Sequence, residues 1–176
     1  MKSTIGNGEY ARVILATAQD DTSKSIALKV INKSKILRVW HLERLEFEIR
    51  ILKILGSRHY NIIQCYDVYH SHHFLYLALE RFGIDLFEFY NRRKKEFQGT
   101  RPPLSIKEIC EIAFDIFDAI AYCHAHGVVH RDIKPDNVLI QYDIIPISNS
   151  TASPNSSIPI ITIHIVAEEE LLAGKC

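Results

Sequence analysis

The repeat of apolar residues changes after Gly83, and that change limits the fold more than any other feature of the 176-residue chain. Before it, YARVILATA, SIALKVI, IIQCYDVYH and FLYLALERF read as strands joined by polar turns. Between the second and third, residues from about Lys35 to Leu55 place Leu42, Leu45, Ile49, Leu52 and Leu55 on one helical stripe. Glu46 and Arg50 are spaced to pair at i,i+4 on its outer face. After the change, DLFEFYNRR reads as a short helix and RRKKEFQGTRPP as a basic loop. A long helix then starts at Ser105, with Glu108 completing a capping box, and stops at Gly127. Its expected apolar face is Ile109, Ala113, Ile116, Phe117 and Ile120; its expected wet face is Glu108, Glu111, Asp115 and Asp118. A linker near Arg81–Ile84 thus joins a sheet-rich lobe to a helical one, an α+β arrangement.

Charge narrows the partners. Lys+Arg and Asp+Glu balance at 21 each, so no global field favours nucleic acid, and RRKKE reads as a solvated loop. No apolar run reaches the roughly 18 residues of a membrane span. MKSTIGNGEYARV lacks the basic-then-apolar pattern of a signal peptide. Cys65, Cys110, Cys123 and Cys176 form no Cys-x-x-Cys pair, which points to a reducing compartment, the cytoplasm or nucleus. The histidines of YHSHHF (His70, His72 and His73) sit in a strand–strand turn and read as solvated rather than metal-bound.

Three segments carry chemistry. GNG is a turn between strands, and its unhindered N–H groups can approach a polyphosphate. A lone Gly-x-Gly turn, however, often only closes a hairpin. In IALKV, alternation puts Ala27 and Lys29 on one face, a small residue beside an ammonium. A strand lysine is usually solvated. Here Glu48 of EIRILKIL lies one helical turn from Leu45 and Leu52, at a buried edge where a carboxylate needs a partner, and Lys29 can supply it.

The most specific segment is HRDIKPDNVLI, residues 130–140, which resembles the catalytic loop of the eukaryotic protein kinase family. The other segments fall in that family's order: IGNGEYARV as the phosphate-covering loop, IALKV as the lysine strand, EIRIL as the helix with the pairing glutamate, LYLALERFGIDLFEF as the strand into the linker. The resemblance implies a protein-kinase-like fold, an antiparallel five-stranded small lobe with one helix hinged to a truncated helical large lobe. It implies that Asp132 accepts the proton of a substrate hydroxyl, Lys134 offsets charge on the transferred phosphoryl group, and Asn137 holds one Mg²⁺. Lys29, positioned by Glu48, would bind the phosphates of ATP beneath a lid of Ile5, Gly6, Asn7, Gly8 and Glu9. Val13 and Ala27 would sandwich the adenine, and backbone groups of Glu80 and Phe82 would meet its edge. Leu79 would be the gatekeeper, and Asp85 would reach the ribose. Lys134, two residues after Asp132, matches the Ser/Thr-specific branch, so the implied partners are ATP and a protein bearing a Ser or Thr hydroxyl. Ala11 stands where the family loop has its third glycine, which loosens the fit on the phosphates.

The sequence departs from the family after Asn137. VLIQYD reads as one strand, the Ser-rich stretch as an enlarged turn and PIITIHIV as its partner, where an Asp-Phe-Gly tripeptide is due next. Instead the chain runs AEEELLAGKC, and Asp143 comes too early. An internal deletion or an unrelated terminal extension each accounts for this. The expected organisation is residues 1–81 as small lobe, 82–143 as the start of the large lobe, and 144–176 as an atypical tail. Without the second metal carboxylate, turnover is expected to fall by several orders of magnitude. The alternative is a pseudokinase-like fragment that binds nucleotide or a partner without turnover. Apolar surface around Phe114 and Phe117 would then be left uncovered, favouring aggregation or a stabilising protein partner.

Overall fold

The structure is a computed structural model and describes residues 4–7, 11–17, 25–143 and 158–163. Gly8, Glu9, Cys176 and the Ser-rich stretch lie outside the described residues. Five antiparallel strands form the first sheet: β1 (Thr4–Asn7), β2 (Ala11–Thr17), β3 (Ser25–Asn32), β4 (Cys65–His70) and β5 (Phe74–Glu80), in the order β1-β2-β3-β5-β4. Period-two alternation divides the sheet. Val13, Ala27, Lys29, Leu77 and Leu79 share one face through the pairs Val13↔Lys29, Lys29↔Leu77 and Ala27↔Leu79. Ile14, Ile26, Leu28, Val30 and Glu80 belong to the other.

Helix α1 (Val39–Leu55) buries Glu48, Ile51, Leu52 and Leu55. It starts later than the sequence stripe suggests, because Lys33–Lys35 form a 3-10 turn in which the Asn32 side chain accepts the Ser34 N–H. Leu42 is 55% exposed and is not part of the buried face. Arg50 lies over the Phe47 ring instead of pairing with Glu46. Leu52, Leu55, Ile62, Ile63, Leu77 and Leu79 are nearly inaccessible and belong to one cluster that also takes in Ala119, Cys123 and Val128.

The linker leads into β6 (Ile84–Asp85), which pairs with β7 (Val138–Asp143), itself paired antiparallel with β8 (Ile158–Ile163). The sequence signals the β7–β8 pair but not the short β6. Helix α2 spans Leu86–Phe97, so Lys94–Phe97, read from sequence only as loop, are helical. Burial explains the extension. Phe89 and Phe97 are buried, and the Arg93 guanidinium lies over both rings while pairing with Glu108. The loop begins only at Gln98, which closes the helix in the left-handed region at φ 47°.

Helix α3 (Ile106–Ala125) carries the expected capping box between Ser105 and Glu108. Its buried face is rotated from the expected one: Ile112, Ala119 and Cys123 are buried, whereas Ile109, Phe114 and Phe117 are exposed, the last two at 67% and 69%. The side of α3 that carries Asp115 and Asp118 meets polar partners. The buried Asn61 amide donates to the Asp115 carbonyl at 3.1 Å, and His59 Nε2 and Tyr60 Oη approach Asp118 Oδ2 at 3.3 and 3.2 Å. No helix of the described residues is long and apolar enough to cross a membrane.

Gly83 joins the two halves by close approach. A Cβ there would lie 1.8 Å from the Ile140 carbonyl oxygen, a backbone atom that cannot swing away. Gly127 has a different constraint, φ +73° with open space around it. Gly83→Ala is therefore expected to cost about 2–4 kcal/mol through lost β6–β7 pairing. Gly127→Ala should cost only roughly 1–2 kcal/mol of left-handed strain. Urea unfolding of both variants checks the order; a smaller loss at Gly83 would show that the linker leaves β7 freely.

Candidate active site

Lys29 stands in the middle of the sheet face that packs on α1. Its Nζ lies 2.5 Å from Glu48 Oε1, with the two side chains only 14% and 11% exposed. Placing a cation among Leu77, Leu79 and Ala27 is costly unless a carboxylate meets it, and the helix supplies that group from its buried side. Val13 is in register with both Lys29 and Gly6, so β1 lies two strands from the lysine, on the order of 10 Å across the sheet. The backbone of Ile5, Gly6 and Asn7 forms β1, with a register shift between Thr4 and Gly6. Leu79 is buried and faces Ala27.

The linker gives these residues a polar edge. The Glu80 N–H is spent on the Gln64 carbonyl at 2.8 Å, whereas the Phe82 N–H has no partner among the described residues. Asp85 caps α2: its Oδ1 accepts the Glu88 N–H at 2.7 Å. That assigns one carboxylate oxygen to the helix and leaves Oδ2 for any other contact.

The second group of residues follows α3. Val128 is buried in the shared core and His130 is 4% exposed, which anchors the start of the loop. Arg131 adopts φ 61°, an uncommon left-handed conformation for a residue with a side chain, and turns the chain so that the Asp132 N–H meets His130 O and Nδ1. Lys134 Nζ donates to Asp132 Oδ2 at 2.7 Å, and Asn137 Nδ2 donates to Asp132 O and Oδ2, each at 2.8 Å. The Lys134 hydrogen bond above all, and then that from Asn137, hold the Asp132 carboxyl below its usual range against the opposing effect of burial. Asp132, Lys134 and Asn137 are thus brought together, as are Lys29 and Glu48. One continuous apolar cluster connects the sheet face around Lys29 to Val128.

Leu139 is a candidate that the sequence reading does not single out. Its neighbours Val138 and Ile140 point into the lower core with Phe89 and Ile112, so alternation turns Leu139 the other way, against the cluster that holds Leu79 and Ala27. An apolar residue between two more buried ones, directly after Asn137, is the available signal.

Among the described residues no three His, Cys, Asp or Glu side chains gather as a metal cage. The donors present fit a different mode. With its amide nitrogen bound to Asp132, Asn137 keeps Oδ1 as a hard oxygen donor, suited to Mg²⁺ that retains waters and is held also by phosphate oxygens.

Two measurements test this geometry. Lys29→Met and Glu48→Gln should each lower stability by about 2 kcal/mol, because each strands a poorly solvated partner. The double variant should lose less than the sum by about 1 kcal/mol or more, and additivity in a double-mutant cycle would remove the pair as a structural link. Lys134→Met should move the Asp132 carboxyl upward, read by carbon NMR titration; an unmoved midpoint rules out Lys134 as the main cause. Because the folded-state value lies below the unfolded one, this contribution to stability is present above the ordinary carboxylate range and is lost as pH falls through the folded-state value.

The protein kinase domain model matches residues 1–147. The chain is 36% identical over 137 residues to the carbon catabolite-derepressing protein kinase of Saccharomyces cerevisiae, covering 78% of this chain and 20% of that protein. It is 38% identical over 139 residues to calcium-dependent protein kinase 5 of Plasmodium berghei, covering 78% and 22%. It is 36% identical over 139 residues to the CBL-interacting serine/threonine-protein kinase 24 of Arabidopsis thaliana, covering 78% and 28%. The chain therefore spans less than a third of the length of these relatives, and it belongs to the protein kinase family, in its serine/threonine branch.

Proposed function

We propose that this chain forms the nucleotide-binding and hydroxyl-orienting part of an ATP-dependent protein serine/threonine kinase domain, with binding retained and turnover low. The observation that carries the reading is the pair of preassembled clusters, Lys29–Glu48 on the sheet and Asp132–Lys134–Asn137 on the loop. Residues 1–81 act as small lobe, 82–143 as the start of the large lobe, and 144–176 stand in place of the metal-binding and activation segment.

In this reading Val13 and Ala27 cover the adenine and Leu139 underlies it. The Phe82 N–H and the Glu80 carbonyl meet the base edge, with Leu79 behind it, and Asp85 Oδ2 receives a ribose hydroxyl. Lys29, held by Glu48, draws the phosphates under the lid formed by Ile5 to Glu9. Asp132 accepts a hydrogen bond from the substrate hydroxyl and orients its oxygen toward the phosphoryl group. Lys134 is near enough to share its charge between Asp132 and that group. Asn137 Oδ1 would hold Mg²⁺, which would supply neutralisation of phosphate charge when bound.

Low turnover follows from the donor count. Residues 138–176, which follow Asn137, contain no Asp-Phe-Gly tripeptide, and among the described residues Asn137 is the one metal donor this reading uses. An amide oxygen binds Mg²⁺ more weakly than a carboxylate, so the phosphate is poorly aimed. This same observation favours a second reading, a nucleotide- or partner-binding fragment without turnover.

ATP is expected to raise the melting temperature of the full chain with or without Mg²⁺, while phosphate incorporation into a Ser/Thr peptide stays at the level of Asp132→Asn. Incorporation above that level, lost in Asp132→Asn, establishes turnover; no thermal response to ATP removes nucleotide binding.

A further inference from the structure

A cavity of about 780 Å³ opens beside the linker and shares Phe82 with the base edge assigned above. Ser25, Ile26, Tyr66, Arg81, Phe82 and Gly83 line it, and Gln141 of β7 closes its lower side. Val13, Ala27, Lys29, Glu48 and Leu79 do not. Strand alternation explains the separation: Ile26 and its cross-strand partner Glu80 occupy the sheet face opposite Ala27 and Lys29. The cavity and the base-contacting edge therefore lie on two sides of one linker.

Its lining is chemically asymmetric. Among the described residues that line it, Arg81 is the one cation and there is no carboxylate. The Arg81 guanidinium is oriented by a 2.8 Å hydrogen bond from Nη1 to Ser25 Oγ, which leaves most of its five N–H donors unused among the described residues. The nearest acidic side chain in the strand, Glu80, already accepts the Gln64 N–H through Oε2 at 3.3 Å. Burial first, and then the Glu80 charge, push the Tyr66 hydroxyl upward, so it remains a protonated donor at neutral pH. Around these donors stand the Tyr66 and Phe82 rings and the Ile26 side chain.

We propose that this cavity is a second small-molecule site, selective for an aromatic monocarboxylate whose carboxylate pairs with the Arg81 fork while its rings lie against Tyr66, Phe82 and Ile26. A guanidinium presents parallel donors that match a carboxylate in bidentate fashion. One cation suits one negative charge, so a phosphate dianion would be left half-neutralised. The volume lies within the range of small-molecule sites, roughly 300–1,000 Å³. The site is independent of the proposed kinase reading, since none of its side chains is assigned to phosphate, metal or substrate hydroxyl.

The probe is 2-naphthoate, titrated calorimetrically into the full chain, with 2-naphthamide as the uncharged control. Saturable binding at one site is expected, weakened at least tenfold by Arg81→Gln and by the amide, and unaffected by saturating ADP. Arg81→Lys keeps the charge but not the fork and should fall between. If circular dichroism shows Arg81→Gln to be unfolded, Arg81→Lys and the amide decide. No saturable heat on the folded chain, equal affinity of naphthoate and naphthamide, or indifference to both Arg81 variants overturns the proposal. Competitive displacement by ADP also overturns it, by placing the probe in the nucleotide cleft, whereas a chain that fails to bind ATP leaves it standing.

Discussion

A cation inside an apolar sheet face is the constraint around which the upper half of this molecule is arranged. Lys29 cannot occupy the row between Leu77 and Val13 unsolvated and alone, so α1 must present Glu48 at that height and rotation. The requirement fixes which side of α1 is buried. Ile51, Leu52 and Leu55 then fall against the sheet, while Leu42, apolar but one turn off this line, remains outside. The ion pair thus has a structural role before any chemical one: it sets the helix rotation that packing alone would leave less defined.

The lower half depends on a comparable constraint applied to a loop. Buried Val128 and His130 hold the approach to the loop, Arg131 takes the left-handed turn, and Asp132 receives hydrogen bonds from Lys134 and Asn137. These contacts are local in sequence, so the Asp132 cluster is assembled without help from the strand carrying Lys29. What relates the two clusters is the shared apolar core through Cys123 and Val128, together with the close contact of Gly83 with β7.

Features decided by neighbours in sequence were legible there. Alternation in IALKV, the Ser105–Glu108 capping box and the order of strands need only local geometry. Features decided by distant partners were not. Lys94–Phe97 read as loop because the segment is basic, yet Phe97 is buried and Arg93, one turn earlier, lies over its ring while pairing with Glu108 from another helix. The orientation of α3 was misread because hydropathy counts Asp115 and Asp118 as outward-facing, whereas Asn61, His59 and Tyr60 bind that side. Of the candidate site, the Lys29–Glu48 pairing is legible from helical spacing, and the Asp85 cap is local, reaching only to Glu88; the side that Leu139 faces depends on β6–β7 pairing, which two residues of strand cannot announce.

The lysine resting on Asp132 has a further consequence for timing. A carboxylate kept more acidic than usual is a reluctant base, so it gains little by removing a proton from an alcohol in the ground state. On the proposed function, the hydrogen bonds from Lys134 and Asn137 fix the direction of the carboxylate, and the aspartate would serve first as a compass for the oxygen's lone pair. Rates governed in this way track the angle of approach far more than the basicity of the group that sets it.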